Sequence, residues 1–362
     1  MNIPTQNTAT RIGHLIPTQV GICLLLSAFF FPLSSLADTT FVSGAVSAEW
    51  TRDGNPYIVV DSTWVPEGER LTLTAGVEAF FNEGQGLYVF GTMNAEGREN
   101  DSVRIRVSEG VEHWKGIRSA EDCTFEFSYC SVACPDTLMI LDSGCEIFIK
   151  NSDFMDCPHA IAAWDSQFRD VGWVVTILDS KLRNGINLSS RGGRITLERS
   201  YVEFREGNNR PYPGFFGDGT RYTFTDSIIR GCLLSPHGGL TTFDNCRFLA
   251  ISDSNLISID VIGRGGYLKN SYVQGHVGLG PTFGHSLICD SDTILGSINS
   301  FVCNPVITNC VVQKVQSRGL VLADAQVAVV KGSEFWGSAT AEISTQCGSI
   351  AASLSAPLLH TY

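Results

Sequence analysis

The stretch RITLERSYVE (Arg194–Glu203) and its recurrence as RYTFTDSIIR (Arg221–Arg230) decide how this chain folds. In both, inward candidates alternate with polar residues up to a short interruption, and a small residue, Ser200 or Ser227, restarts the alternation. Strand side chains alternate between faces, so Ile195 and Leu197 share one face. Ser200 and Val202 share another, reached by an odd step. An odd step within an extended chain demands a bend that resets which face points inward.

Working outward, the same small anchor recurs as Cys130, Ser152, Ser180, Ser200, Ser227, Cys246, Ser271, Ser291, Cys310 and Ser333, at intervals of 19 to 28 residues. Three residues before it stand Phe127, Ile149, Ile177, Leu197, Phe224, Phe243, Leu268, Ile288, Ile307 and Val330, all apolar. Two residues after it the chain is again apolar, with Thr293 the one departure. Just before the anchor, seven of ten repeats carry Asn or Asp: Asn151, Asp179, Asp226, Asn245, Asn270, Asp290 and Asn309. These residues tolerate left-handed backbone best among non-glycines, which suits a one-residue bend.

A unit of strand, bend, small anchor and strand buries its apolar face only against copies of itself. Stacked about 4.8 Å apart, ten such units form a solenoid about 48 Å long. The expected fold is therefore an all-β, right-handed parallel β-helix of ten or more coils. Stacked Asn and Asp predict a hydrogen-bonded ladder along one outer edge. Stacked Ser and Cys fill the narrow corner, and Cys157 and Cys232 share a second packing column.

Residues 38–118 read as N-terminal coils with their own cadence, Leu71 and Leu73, Leu87 and Val89, Val103 and Ile105, each pair sixteen after the last. Residues 119–340 are the main helix and 341–362 a C-terminal tail or cap. The stretches VPEGERLTLTAGVEAFF (Val65–Phe81), GLYVFGTMNAEG (Gly86–Gly97) and HWKGI (His113–Ile117) resemble the first coils of secreted bacterial right-handed β-helix proteins of the pectate-lyase-like superfold. That resemblance implies either surface proteins without assigned activity or polysaccharide enzymes; it carries no catalytic residue over.

Residues 1–37 read as a signal peptide. The apolar run Gly21–Phe31 is too short to span a bilayer, Arg11 precedes it, and Ser35-Leu36-Ala37 suits cleavage after Ala37. The expected location is secreted or cell-surface, with no transmembrane segment in the mature chain. Removing this segment takes away Arg11 and no acid, so the net charge moves from −12 to −13. With no basic stripe to offset it, nucleic acid is excluded as a partner. Eleven cysteines remain after Cys23 is removed, an odd number in a compartment that permits disulfides. No C-x-x-C or His-x-His unit accompanies Cys130 and Cys134, so neither a metal nor another cofactor is expected.

For chemistry, His237 in SPHGG and His285 in GHS read as turn residues, and no acid and base pair stands out; no catalytic residue is assigned. Asp179 and Asp226 are a conceivable carboxylate pair, already explained by the edge ladder. The longest repeats carry AWDSQFRDVGW and REGNNRPYPGFFGDGTR, where aromatic faces and carboxylates suit sugar rings. Trp164, Asp165, Arg210, Tyr212 and Asp218 are the candidate ligand-binding residues, with polysaccharide or cell-surface glycan as the partner. The alternatives are a polysaccharide lyase or glycoside hydrolase with a divergent site, and a fragment of a larger adhesin.

Overall fold

The structure is a computed structural model that describes residues 39–360, except 135–136, 156, 158–159, 165–171, 184–185, 190–191, 205–213, 232, 238, 251–256, 262–264, 280–285, 302–303, 314–319, 324–328, 337–342, 345–352 and 356–357. The proposed signal peptide lies outside these residues. Every described strand belongs to one compact unit, Thr39–Tyr362.

That unit is a right-handed parallel β-helix. Among the described residues a first sheet stacks fourteen strands, from Ala48–Trp50 to Ser353–Ser355. The second and third sheets together hold twenty-seven described strands, joined through the long strand Tyr57–Val65, whose two halves pair with Glu78–Phe81 and Gly86–Val89. In the coil built on Arg194–Glu198, Tyr201–Glu203 belongs to the second sheet and Gly214–Asp218 to the third. All pairings between these strands are parallel and near in register, so equivalent residues stack coil on coil. The strands Ile343–Ser344, Ser353–Ser355 and Leu358–His360 pair with the preceding coil. Among the described residues no helix is long and apolar enough to cross a membrane.

The inward columns are those of the repeat. Phe127, Ile149, Ile177, Leu197, Phe224, Phe243 and Leu268 are all buried, as are Val132, Phe154, Leu182, Val202, Ile229 and Phe248 on the other side of the bend. The Phe224 and Phe243 rings stack 5.0 Å apart, and Phe243 meets Phe248 edge-on at 5.1 Å. One bend residue per coil adopts left-handed backbone, with φ between 47° and 61° from Tyr129 to Gly332.

Two sequence expectations need correction. In the eighth repeat the bend is Ser291 (φ 60°), not Asp290, and the buried anchor is Asp292, not Ser291. The inward residues there are Leu287, Cys289 and Ile294; Ile288 and the anomalous Thr293 fall between them. A search for small anchors picks the serine because a lone carboxylic acid is a costly core residue. The sixteen-residue cadence of the N-terminal coils is also not a coil repeat. Leu71 and Leu73 lie in the first sheet, Leu87 and Val89 in the third, and Val103 and Ile105 in the second, so that step carries the chain to a different sheet.

The anchor does more than fill a corner. At the bend its N–H leaves the backbone ladder and points to the next coil's anchor, whose side chain accepts it. Cys130 N–H donates to Ser152 Oγ (3.0 Å), Ser152 to Ser180 (3.1 Å), Ser180 to Ser200 (3.2 Å) and Ser200 to Ser227 (3.2 Å). Further along, Cys246 N–H donates to Ser271, Ser271 to Asp292 and Cys310 to Ser333. The hydroxyls of Ser152, Ser180, Ser200, Ser227 and Ser271 donate to the carbonyl two residues back, so these buried polar groups are satisfied.

Candidate functional site

Among the five sequence-predicted ligand residues, Trp164 ends the third-sheet strand Ile161–Trp164 and Asp218 ends Gly214–Asp218. Asp165, Arg210 and Tyr212 lie outside the described residues, as does His285. Register sets Trp164 beside Ser189 and Ser189 beside Phe216, so Trp164 and Asp218 are two coils and two residues apart at one edge of the third sheet. The segment carrying Arg210 and Tyr212 enters that sheet at Gly214, the other end of the strand.

His237 is not a turn residue: it closes the strand Leu233–His237, in register with Asp218 on the preceding coil. An acid and a base thus sit on neighbouring strands, a juxtaposition that sequence spacing hides because nineteen residues separate them. Asp179 and Asp226 are not brought together. The coil of Arg199 separates them by about 10 Å; Arg199 grips Asp179 through two contacts of 2.6 and 2.9 Å, and Asn245 donates to Asp226 at 2.6 Å. The Arg199 hydrogen bonds hold the Asp179 carboxyl below its usual range. The edge ladder is real, though Asn270 reaches Asp244 and Asn309 reaches Asp290, one residue before the previous bend position.

The outer face of the second sheet between these edges carries a second set of residues with recognition chemistry. Two lanes run along it. Register sets Asp153, Lys181, Tyr201, Ile228, Arg247 and Tyr272 side by side on successive coils, and Arg183, Glu203, Arg230 and Leu249 in the parallel lane. Tyr201 and Tyr272 are half-buried, three coils or about 14 Å apart. The Arg247 guanidinium lies 5.7 Å from the Tyr272 ring centroid, and Gln274 donates to the Tyr272 hydroxyl at 3.3 Å. Arg230 faces Glu203 at 3.7 Å and Arg183 faces Asp153 at 4.0 Å. Such partly exposed pairs contribute at most about 1 kcal/mol but orient the side chains. Asp153 Oδ1 is shielded from solvent without a protein donor. Four cations against two carboxylates make this strip locally positive on an acidic protein. Sequence reading missed it because its members come from different repeats, no more than two from each.

Burial pushes the thiols of Cys130, Cys246 and Cys310 up to about 12, which makes them packing groups. Among the described residues no group of three or more His, Cys, Asp or Glu side chains is arranged to hold a metal ion. Comparison with known protein families, with curated proteins and with solved structures finds no match.

Proposed function

We propose that this chain is an exported, secreted or surface-held β-helix that binds carbohydrate, and that an extended acidic polysaccharide lies along the second-sheet strip. The observation that carries this reading is the row of Tyr201, Arg230, Arg247 and Tyr272 on successive coils. Aromatic faces suit sugar rings, and guanidinium groups suit their carboxylates or sulfates.

Affinity electrophoresis in pectin, alginate, chondroitin and neutral glucans tests this. Tyr272→Ala and Arg247→Ala should each weaken retention several-fold, about two- to tenfold for loss of one aromatic contact. Retention should fall with added salt, because the strip is exposed. Melting temperature should barely move, since neither side chain fills the core. Wild-type protein that no polysaccharide retains would refute the proposal.

A second reading, a lyase or hydrolase, rests on the register of Asp218 with His237. It requires release of unsaturated or reducing ends from an acidic polysaccharide, abolished by Asp218→Asn or His237→Ala. Binding without release keeps the first reading.

A further inference from the structure

The strongest unassigned feature is a pair of buried sulfurs. Cys134 Sγ and Cys157 Sγ, from successive coils, approach to 2.7 Å without a covalent bond, closer than two sulfurs rest in ordinary contact. Second-sheet register pairs Ala133 with Met155, so Cys157 sits one residue beyond the position opposite Cys134. One coil rise combined with one residue of offset gives a Cα separation of about 5.8 Å, at the centre of the disulfide range. Both side chains are buried, so neither meets solvent oxidants once the coil is closed.

We propose that Cys134 and Cys157 form a disulfide that staples these two coils together in the exported protein. The bond forms by exchange with a disulfide oxidant while the coil is still open. One cysteine thiolate attacks the oxidant and displaces a thiol, and the second cysteine attacks the mixed disulfide and releases the other. Two cysteine protons and two electrons pass to the oxidant, which leaves as two thiols.

A second stacked pair, Cys123 and Cys145, spans the same coils, with the two thiols in hydrogen-bond contact. Cys123 Sγ donates to Val89 O at 2.9 Å, and Cys145 Sγ lies 3.1 Å from Ala120 O and 3.0 Å from Ser119 Oγ; the 2.7 Å approach of the sulfurs marks Cys134 and Cys157 as the pair placed to bond.

The staple depends on the export reading only for its oxidant, so the test supplies one. Full-length chain is refolded with reduced and oxidised glutathione, blocked with N-ethylmaleimide, digested without reductant and mapped by mass spectrometry. The expected result is one linked peptide pair containing Cys134 and Cys157, lost on reduction. Reduction should lower the melting temperature by about 5 °C, as loss of a loop-closing cross-link of this size implies. Cys134→Ser should remove both the linked pair and the effect of reductant, whereas Cys246→Ser should remove neither. Maleimide on both Cys134 and Cys157 in the oxidised protein, or a Cys123–Cys145 link in their place, overturns the proposal. Failure of export in cells bears on localisation and leaves this readout intact.

Discussion

Asp292 should make the β-helix less stable at alkaline than at acid pH, against the usual behaviour of a carboxylate. It occupies the buried anchor of its coil, only 1% exposed, and accepts the Ser271 N–H at 2.8 Å. Burial pushes its carboxyl up to about 7, and the Asp290 and Asp244 carboxylates raise it further against the hydrogen bonds that lower it. The unfolded chain titrates this group near 3.9. Between those values the native state holds a proton that the unfolded state has released, so stability falls as pH rises. The contribution is fully present below about pH 4 and lost by about pH 8, a total on the order of 4 kcal/mol, of which about 2.5 kcal/mol falls between pH 5 and pH 8. Asp292→Asn keeps an acceptor for Ser271 and removes the charge. Urea unfolding followed by circular dichroism should find the variant close to wild type at pH 5 and more stable at pH 8. Other carboxylates titrate in both proteins, so the comparison isolates this one. An equal difference between variant and wild type at the two pH values would refute the reasoning.

Ser200→Ala should destabilise by about 1–3 kcal/mol, because it leaves the inward N–H of Ser180 without its acceptor; urea midpoints measure this, and an unchanged midpoint would remove the hydrogen-bonding role of the anchor. Phe224→Asp should abolish cooperative folding, since it puts a charge between Phe243 and the buried columns around it. Asp226→Asn should cost less than about 0.5 kcal/mol, because asparagine tolerates the same left-handed bend on the exposed edge; similar losses for the two would contradict the inward assignment.

The coil architecture was legible because a solenoid repeats one local problem. Each coil needs two inward strands and a bend, and Phe224, Asp226, Ser227 and Ile229 state that solution within six residues. Composition and alternation therefore sufficed for the parallel β-helix and for most of its core. They could not reveal why the anchor is polar: the N–H it satisfies belongs to a residue on the previous coil, as with Ser180 and Ser200, twenty positions apart. The eighth repeat was misread for the same reason, since a buried Asp292 makes sense only once the Ser271 N–H points at it. Recognition surfaces lie one step further from the sequence. Tyr201, Arg247 and Tyr272 each look like an ordinary outward residue of its own strand, and only the stacking of coils at about 4.8 Å turns them into a row. Asp218 with His237, and Cys134 with Cys157, become neighbours in the same way. Local alternation decides which way a side chain faces, whereas the lengths of the loops between strands decide which residue it meets on the next coil. Those lengths vary freely in a solenoid, because a loop can grow outward without disturbing the core it leaves.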